Sequence, residues 1–166
     1  MFKFTFIGLS VLGFALSVAG LGLSARLCAI YGSQFPNGEL GGVTRQIVFA
    51  HTWNTLFLLL AVIGQLVAPS FVLFRPLVNF IVTFLGFLQT IVGAGSLHSE
   101  IGKSDNLDNA TLFRATEGLT WSACWIIFFV TIVAFAHYVN ERNHESKHRQ
   151  LHDDEEQVKQ PTQQAH

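Results

Sequence analysis

A chain of 166 residues is long enough for one domain and short for two. Half of its residues are apolar and 13% are charged, against about 25% in soluble domains, and the mean hydropathy is +0.41, which together exclude an ordinary water-soluble fold. The formal net charge of -1 leaves no basic face to neutralise phosphates, so nucleic acid is excluded as a partner.

The first apolar run covers residues 4–25 and, at 1.5 Å rise per residue, can cross a hydrocarbon layer of about 30 Å. Lys3 followed by this run and by Ser17-Val18-Ala19 also has the form of a cleavable signal, but the run is longer than an ordinary signal core, which favours a retained span. Gly13, Ser17, Gly20 and Ser24 recur at spacings of four, three and four, a face that permits close helix approach either inside a bundle or between protomers. Cys28 ends this run and Cys124 sits inside the last one, so a disulfide framework is not expected. Residues 26–46 read as a polar, glycine-containing connection.

The second run, residues 47–68, starts with His51 near its outer end and carries Asn54, Leu58, Ala61 and Gln65 along one face. Residues 69–76 have a proline at each end. Pro69 disfavours continuing the helix, Pro76 suits the first turn of the next, and Arg75 supplies an interfacial charge, so the segment reads as a tight turn at the membrane surface. In the third run, residues 77–97, Asn79, Thr83, Gly86, Thr90 and Gly93 form one face of small and hydrogen-bonding residues. The faces of the second and third runs suit mutual packing. A polar solute path is the alternative, and it is disfavoured because none of the runs contains Lys, Arg, Asp or Glu.

His98, at the outer end of the third run, lies at a depth similar to that expected for His51, so a haem-ligating pair is a further alternative. Residues 98–118 read as the second long connection. It holds one glycosylation sequon at Asn109 and, just before the fourth run, Arg114 and Glu117, three residues apart and placed to pair on a first helical turn. The fourth run covers residues 119–139. After it, His144, His148 and His152 repeat every four residues, a row that reads as a solvated face before a metal site, and the chain beyond about Gln150 is expected to be disordered.

The expected architecture is therefore an all-α integral membrane four-helix bundle over residues 1–140, with both termini on one side and a polar, disordered cytoplasmic tail at 141–166. Lys3, Arg75, Arg142, Lys147 and Arg149 on the turn-and-tail side against Arg26, Arg45, Lys103 and Arg114 opposite give a small excess that places the termini inside. No nucleophile elbow, paired cysteine motif, phosphate loop or zinc-protease motif is present, so neither an enzyme nor a cofactor or metal is expected.

Ala68-Pro69 with Val72-Leu73-Phe74, the segment Asn79-Phe80-Ile81-Val82-Thr83-Phe84, and Phe113-Arg114-Ala115-Thr116-Glu117 carry a resemblance, over about residues 4–140, to the fungal MARVEL-domain tetraspans of the non-classical export and eisosome-associated group. Members of that group often place cysteines in the loop before the last helix, and residues 98–118 contain none. The resemblance implies a non-enzymatic organiser of lateral plasma-membrane domains that responds to sphingolipid. Its partners would be membrane lipids, other membrane or cortical scaffold proteins and further copies of itself.

Overall fold

The chain folds as four helices in the computed structural model, which describes residues 2–34, 39–68, 71, 75–103 and 110–159. They are α1 (Phe2–Gln34), α2 (Glu39–Val67), α3 (Pro76–Lys103) and α4 (Ala110–Lys159). All four are long and apolar enough to span a bilayer, and the protein is a multi-pass membrane protein. In lipid the backbone must satisfy its own hydrogen bonds, so a run without water-soluble alternatives becomes helix along its whole length. α2 ends at Val67 because Ala68 precedes a proline, and Pro76 opens α3, where its missing N–H is not needed. Between them, the Phe71 amide donates to the Ala68 carbonyl at 3.1 Å.

The side chains turned inward follow one rule in every helix. In α1 they are Phe6, Gly13, Gly20 and Leu27 at seven-residue steps, interleaved with Ser10, Ser17, Ser24 and Tyr31. In α2 the two rows are Thr44, His51, Leu58 and Gln65, and Ile47, Asn54 and Ala61. α3 turns in Asn79, Gly86 and Gly93 with Thr83, Thr90 and Leu97. α4 does the same with Phe113, Thr120, Ile127 and Ala134 and with Thr116, Ala123 and Val130. Alternating steps of three and four keep one seam facing the neighbours, as in coiled-coil-like bundles.

Adjacent helices run antiparallel, because contacts advance along one helix while retreating along the next. Gly13 meets Leu58 and Gly20 meets His51; Gly86 meets Asn54 and Gly93 meets Ile47. Phe80 pairs with Phe135 and Phe87 with Phe128. Gly13 against Ile126 and Tyr31 against Phe113 close α1 onto α4. The start of α1 and the stretch of α4 that follows Ala134 thus lie at the same end of the bundle.

Large apolar side chains such as Leu12, Leu56, Ile63, Leu85, Val92 and Phe129 face outward, where lipid solvates them. The interior is richer in Gly, Ala, Ser and Thr, since in a membrane close backbone approach and hydrogen bonds, not burial from water, bring helices together.

Three expectations are corrected. The helices are longer than the apolar runs, so most of residues 26–46 and 98–118 is helical rather than loop. Hydropathy marks where hydrocarbon ends, whereas a helix continues into water wherever no residue stops it. For the same reason α4 continues to Lys159, where a disordered tail was expected beyond Gln150. Residues 119–159 hold no Gly or Pro, and Glu145 stands four before Arg149, a favourable helical spacing. Third, the earlier start of α2 moves His51 from the outer end of its span to ten residues inside it.

Candidate functional site

The interior divides into three layers. One apolar cluster holds Phe6, Leu58, Ala123, Ile127, Val130 and Ala134, and another holds Leu27, Tyr31, Ile47, Leu97 and Phe113. Between them lies a polar layer of Ser17, His51, Asn54, Thr90 and Thr120, all buried. Ser17 and Asn54 fall halfway along the first two candidate spans, so the layer sits near the middle of the membrane.

One turn of α2 organises this layer. Thr120 on α4 donates its hydroxyl proton to the Thr116 carbonyl at 2.7 Å, so the His51 contact to the same oxygen at 3.2 Å has Nε2 as the donor. That selects the Nε2–H tautomer and leaves Nδ1 as an acceptor, without a hydrogen-bond partner among the described residues, as is the Ser17 hydroxyl. His51 reaches α4 because α1 presents Gly20 beneath the ring; a Cβ built there would lie 2.3 Å from Cε1. Three residues on, Asn54 Nδ2 donates to Thr90 Oγ1 on α3 at 2.7 Å, and Thr90 passes its own proton to the Gly86 carbonyl, also at 2.7 Å. Here too a glycine makes the room: a Cβ on Gly86 would stand 2.4 Å from Asn54 Oδ1. Through His51 and Asn54, α2 therefore touches all three other helices at one level.

Two of these links have the same construction. A threonine satisfies its hydroxyl proton on its own helix and offers a lone pair to a side-chain N–H from α2. Thr44, Thr83 and Thr131 likewise donate within their own helices. Ionisable residues at this depth are costly and usually functional. The chemistry available to His51 here is hydrogen bonding that fixes helix register.

All seven residues read from the sequence as polar-face candidates, Asn54, Gln65, Asn79, Thr83, Gly86, Thr90 and Gly93, are buried. Asn54, Gly86 and Thr90 meet in the polar layer, Gly93 lies against Ile47, and Asn79 and Thr83 border a cleft of about 160 Å³ between α2 and α3. A solute following this face would run into the Asn54 side chain lodged against Gly86, so in this conformation the row is a closed contact. Gly13, Ser17, Gly20 and Ser24 also face inward, and Gly13 and Gly20 make contacts within the bundle.

The expected Arg114–Glu117 pair is not formed. Glu117 instead meets His98 Nδ1 on α3 at 2.6 Å, because the antiparallel register of α3 and α4 brings these two positions together. His51 and His98 do not converge on a common ligand either. The first is fully buried against Gly20 and Thr120, and the second is 73% exposed and held by Glu117. Asn109 lies outside the described residues. Replacing His98 by Ala is expected to lower the unfolding free energy by less than about 1 kcal/mol, since the imidazole that bonds Glu117 is largely open to solvent; chemical denaturation of the purified protein checks this.

The sequence reading missed the inward row of α4, from Thr116 and Thr120 to Ala134. Its three-and-four spacing of small residues was the available signal. Compared with models of known families, with characterised proteins and with solved structures, the chain shows no match.

Proposed function

We propose that this four-span protein is a non-enzymatic organiser that shapes or marks lateral domains of the plasma membrane, with both termini cytoplasmic. The observation that carries the reading is the division of labour between its two surfaces. Inside the spans Asn54, Thr90, Thr120 and His51 Nε2 are engaged with one another or with helix carbonyls, while a broad aliphatic and aromatic exterior faces lipid. A bundle so built has a fixed shape to present to lipid and to neighbouring proteins. The resemblance of residues 4–140 to fungal MARVEL-domain tetraspans supports the same reading and adds sphingolipid as the lipid to which it responds.

A fluorescently tagged copy is expected in discrete patches at plasma-membrane furrows, and these patches are expected to disperse when sphingolipid synthesis is inhibited. A uniform, freely diffusing signal in native membranes overturns the reading.

A further inference from the structure

The outer seam between α3 and α4 changes character along its length. At two levels it is bridged by aromatic pairs, Phe80–Phe135 with ring centroids 5.2 Å apart and Phe87–Phe128 at 5.4 Å. Between these rungs a lipid-facing groove of about 270 Å³ is walled by Phe80, Phe84, Phe87, Phe128 and Phe135. One helical turn further toward the end of the bundle that holds the start of α1, the same seam opens into a second cavity of about 240 Å³. Its walls are Arg75, Leu77, Tyr138, Glu141, Arg142 and Glu145. Leu77 and Phe80 are three residues apart on α3, as are Phe135 and Tyr138 on α4, so the two cavities are neighbours on one seam.

The four charges of the outer cavity are exposed, and among the described residues none of them forms an ion pair. Arg142 Nη1 has only the Tyr138 hydroxyl, at 3.5 Å, the outer limit of a hydrogen bond. Two guanidiniums and two carboxylates thus stand at the membrane boundary directly above an aromatic groove. From Arg75 to Phe87 is twelve residues of helix, about 18 Å, which matches a headgroup plus one leaflet of about 15 Å of hydrocarbon.

From this we infer that the α3–α4 seam binds a phosphatidylethanolamine molecule of the adjoining leaflet, with an acyl chain between the phenylalanine rungs and the headgroup among Arg75, Glu141, Arg142 and Glu145. Guanidinium groups suit the phosphate, which they can bond in bidentate fashion. Glu141 and Glu145, four apart on one helical face, suit a primary ammonium, which has three N–H donors to give. A choline headgroup carries the same charges but cannot donate those bonds. The phosphatidylglycerol headgroup has hydroxyl donors but no cation, so it would bring its negative charge to two carboxylates with nothing to offset them. The inference concerns a single lipid site and stands independently of the membrane-organising role.

Native mass spectrometry of the full chain, exchanged against phosphatidylethanolamine, phosphatidylcholine and phosphatidylglycerol of matched acyl chains, tests it. The wild type is expected to retain phosphatidylethanolamine about tenfold better than phosphatidylglycerol, with phosphatidylcholine between them. Glu141→Gln combined with Glu145→Gln is expected to abolish or invert that order. Ile132→Trp, which fills the groove from an exposed position, is expected to weaken retention of all three. All these substitutions lie on the outer surface, so thermal unfolding is expected to match the wild type and to separate lost binding from lost folding. Equal retention of phosphatidylethanolamine and phosphatidylglycerol by the wild type, or a preference unchanged in the double glutamine variant, overturns the inference.

Discussion

Gly20→Ala is expected to destabilise the bundle by about 3 kcal/mol, while Gly22→Ala, two residues away in the same helix, leaves it unchanged or slightly more stable. The two glycines are alike in sequence setting and differ in what a methyl group meets. At Gly20 an added Cβ lies 2.3 Å from His51 Cε1 and 2.6 Å from Nε2; at Gly22 nothing lies within 4 Å. The imidazole cannot yield easily, because it is fully buried and its Nε2–H is held on Thr120. Displacing it loses an interhelical hydrogen bond, about 0.6 kcal/mol on average between membrane helices, so most of the cost is steric overpacking. At Gly22 only the backbone preference remains, and it favours alanine in a helix by up to about 1 kcal/mol. Unfolding of the purified variants in one detergent, followed by near-ultraviolet circular dichroism, gives both numbers. Equal stability of the two variants would show that His51 does not occupy the space over Gly20.

This pair of glycines also separates what is legible in one helix from what depends on its neighbour. The face of Gly13, Ser17, Gly20 and Ser24 is visible from spacing alone, as are the four spans and the rows Asn54 to Gln65 and Asn79 to Gly93, because helical periodicity is a property of one segment. What lies opposite each position is a property of two segments and their register. Glu117 is three residues from Arg114 yet bonds to His98, nineteen residues away across the α3–α4 seam. Hydropathy puts His51 too shallow, because its apolar run is only part of α2, which begins well before that run. The outer α3–α4 cavity was hidden for both reasons: its α4 side, Tyr138 to Glu145, belongs largely to the stretch taken for a tail, and its α3 side begins at the turn.

The second large effect is expected at Gly86 and is best read as a cycle with Asn54. Gly86→Ala places a Cβ 2.4 Å from Asn54 Oδ1, and because Asn54 is buried and tied to Thr90, the expected cost is about 2 kcal/mol. Asn54→Ala alone is expected to cost about 1–2 kcal/mol, the sum of a lost interhelical hydrogen bond and a small void. Thr90 is not stranded by that change, since its proton already goes to the Gly86 carbonyl. The double variant removes the clash along with the hydrogen bond, and the new methyl on Gly86 occupies space that the asparagine amide has left. It is therefore expected to be at least as stable as Gly86→Ala alone, a coupling of about 1–2 kcal/mol between residues thirty-two apart in sequence. Additive costs, with the double variant the least stable of the three, would mean that Asn54 and Gly86 do not share the mid-membrane contact between α2 and α3.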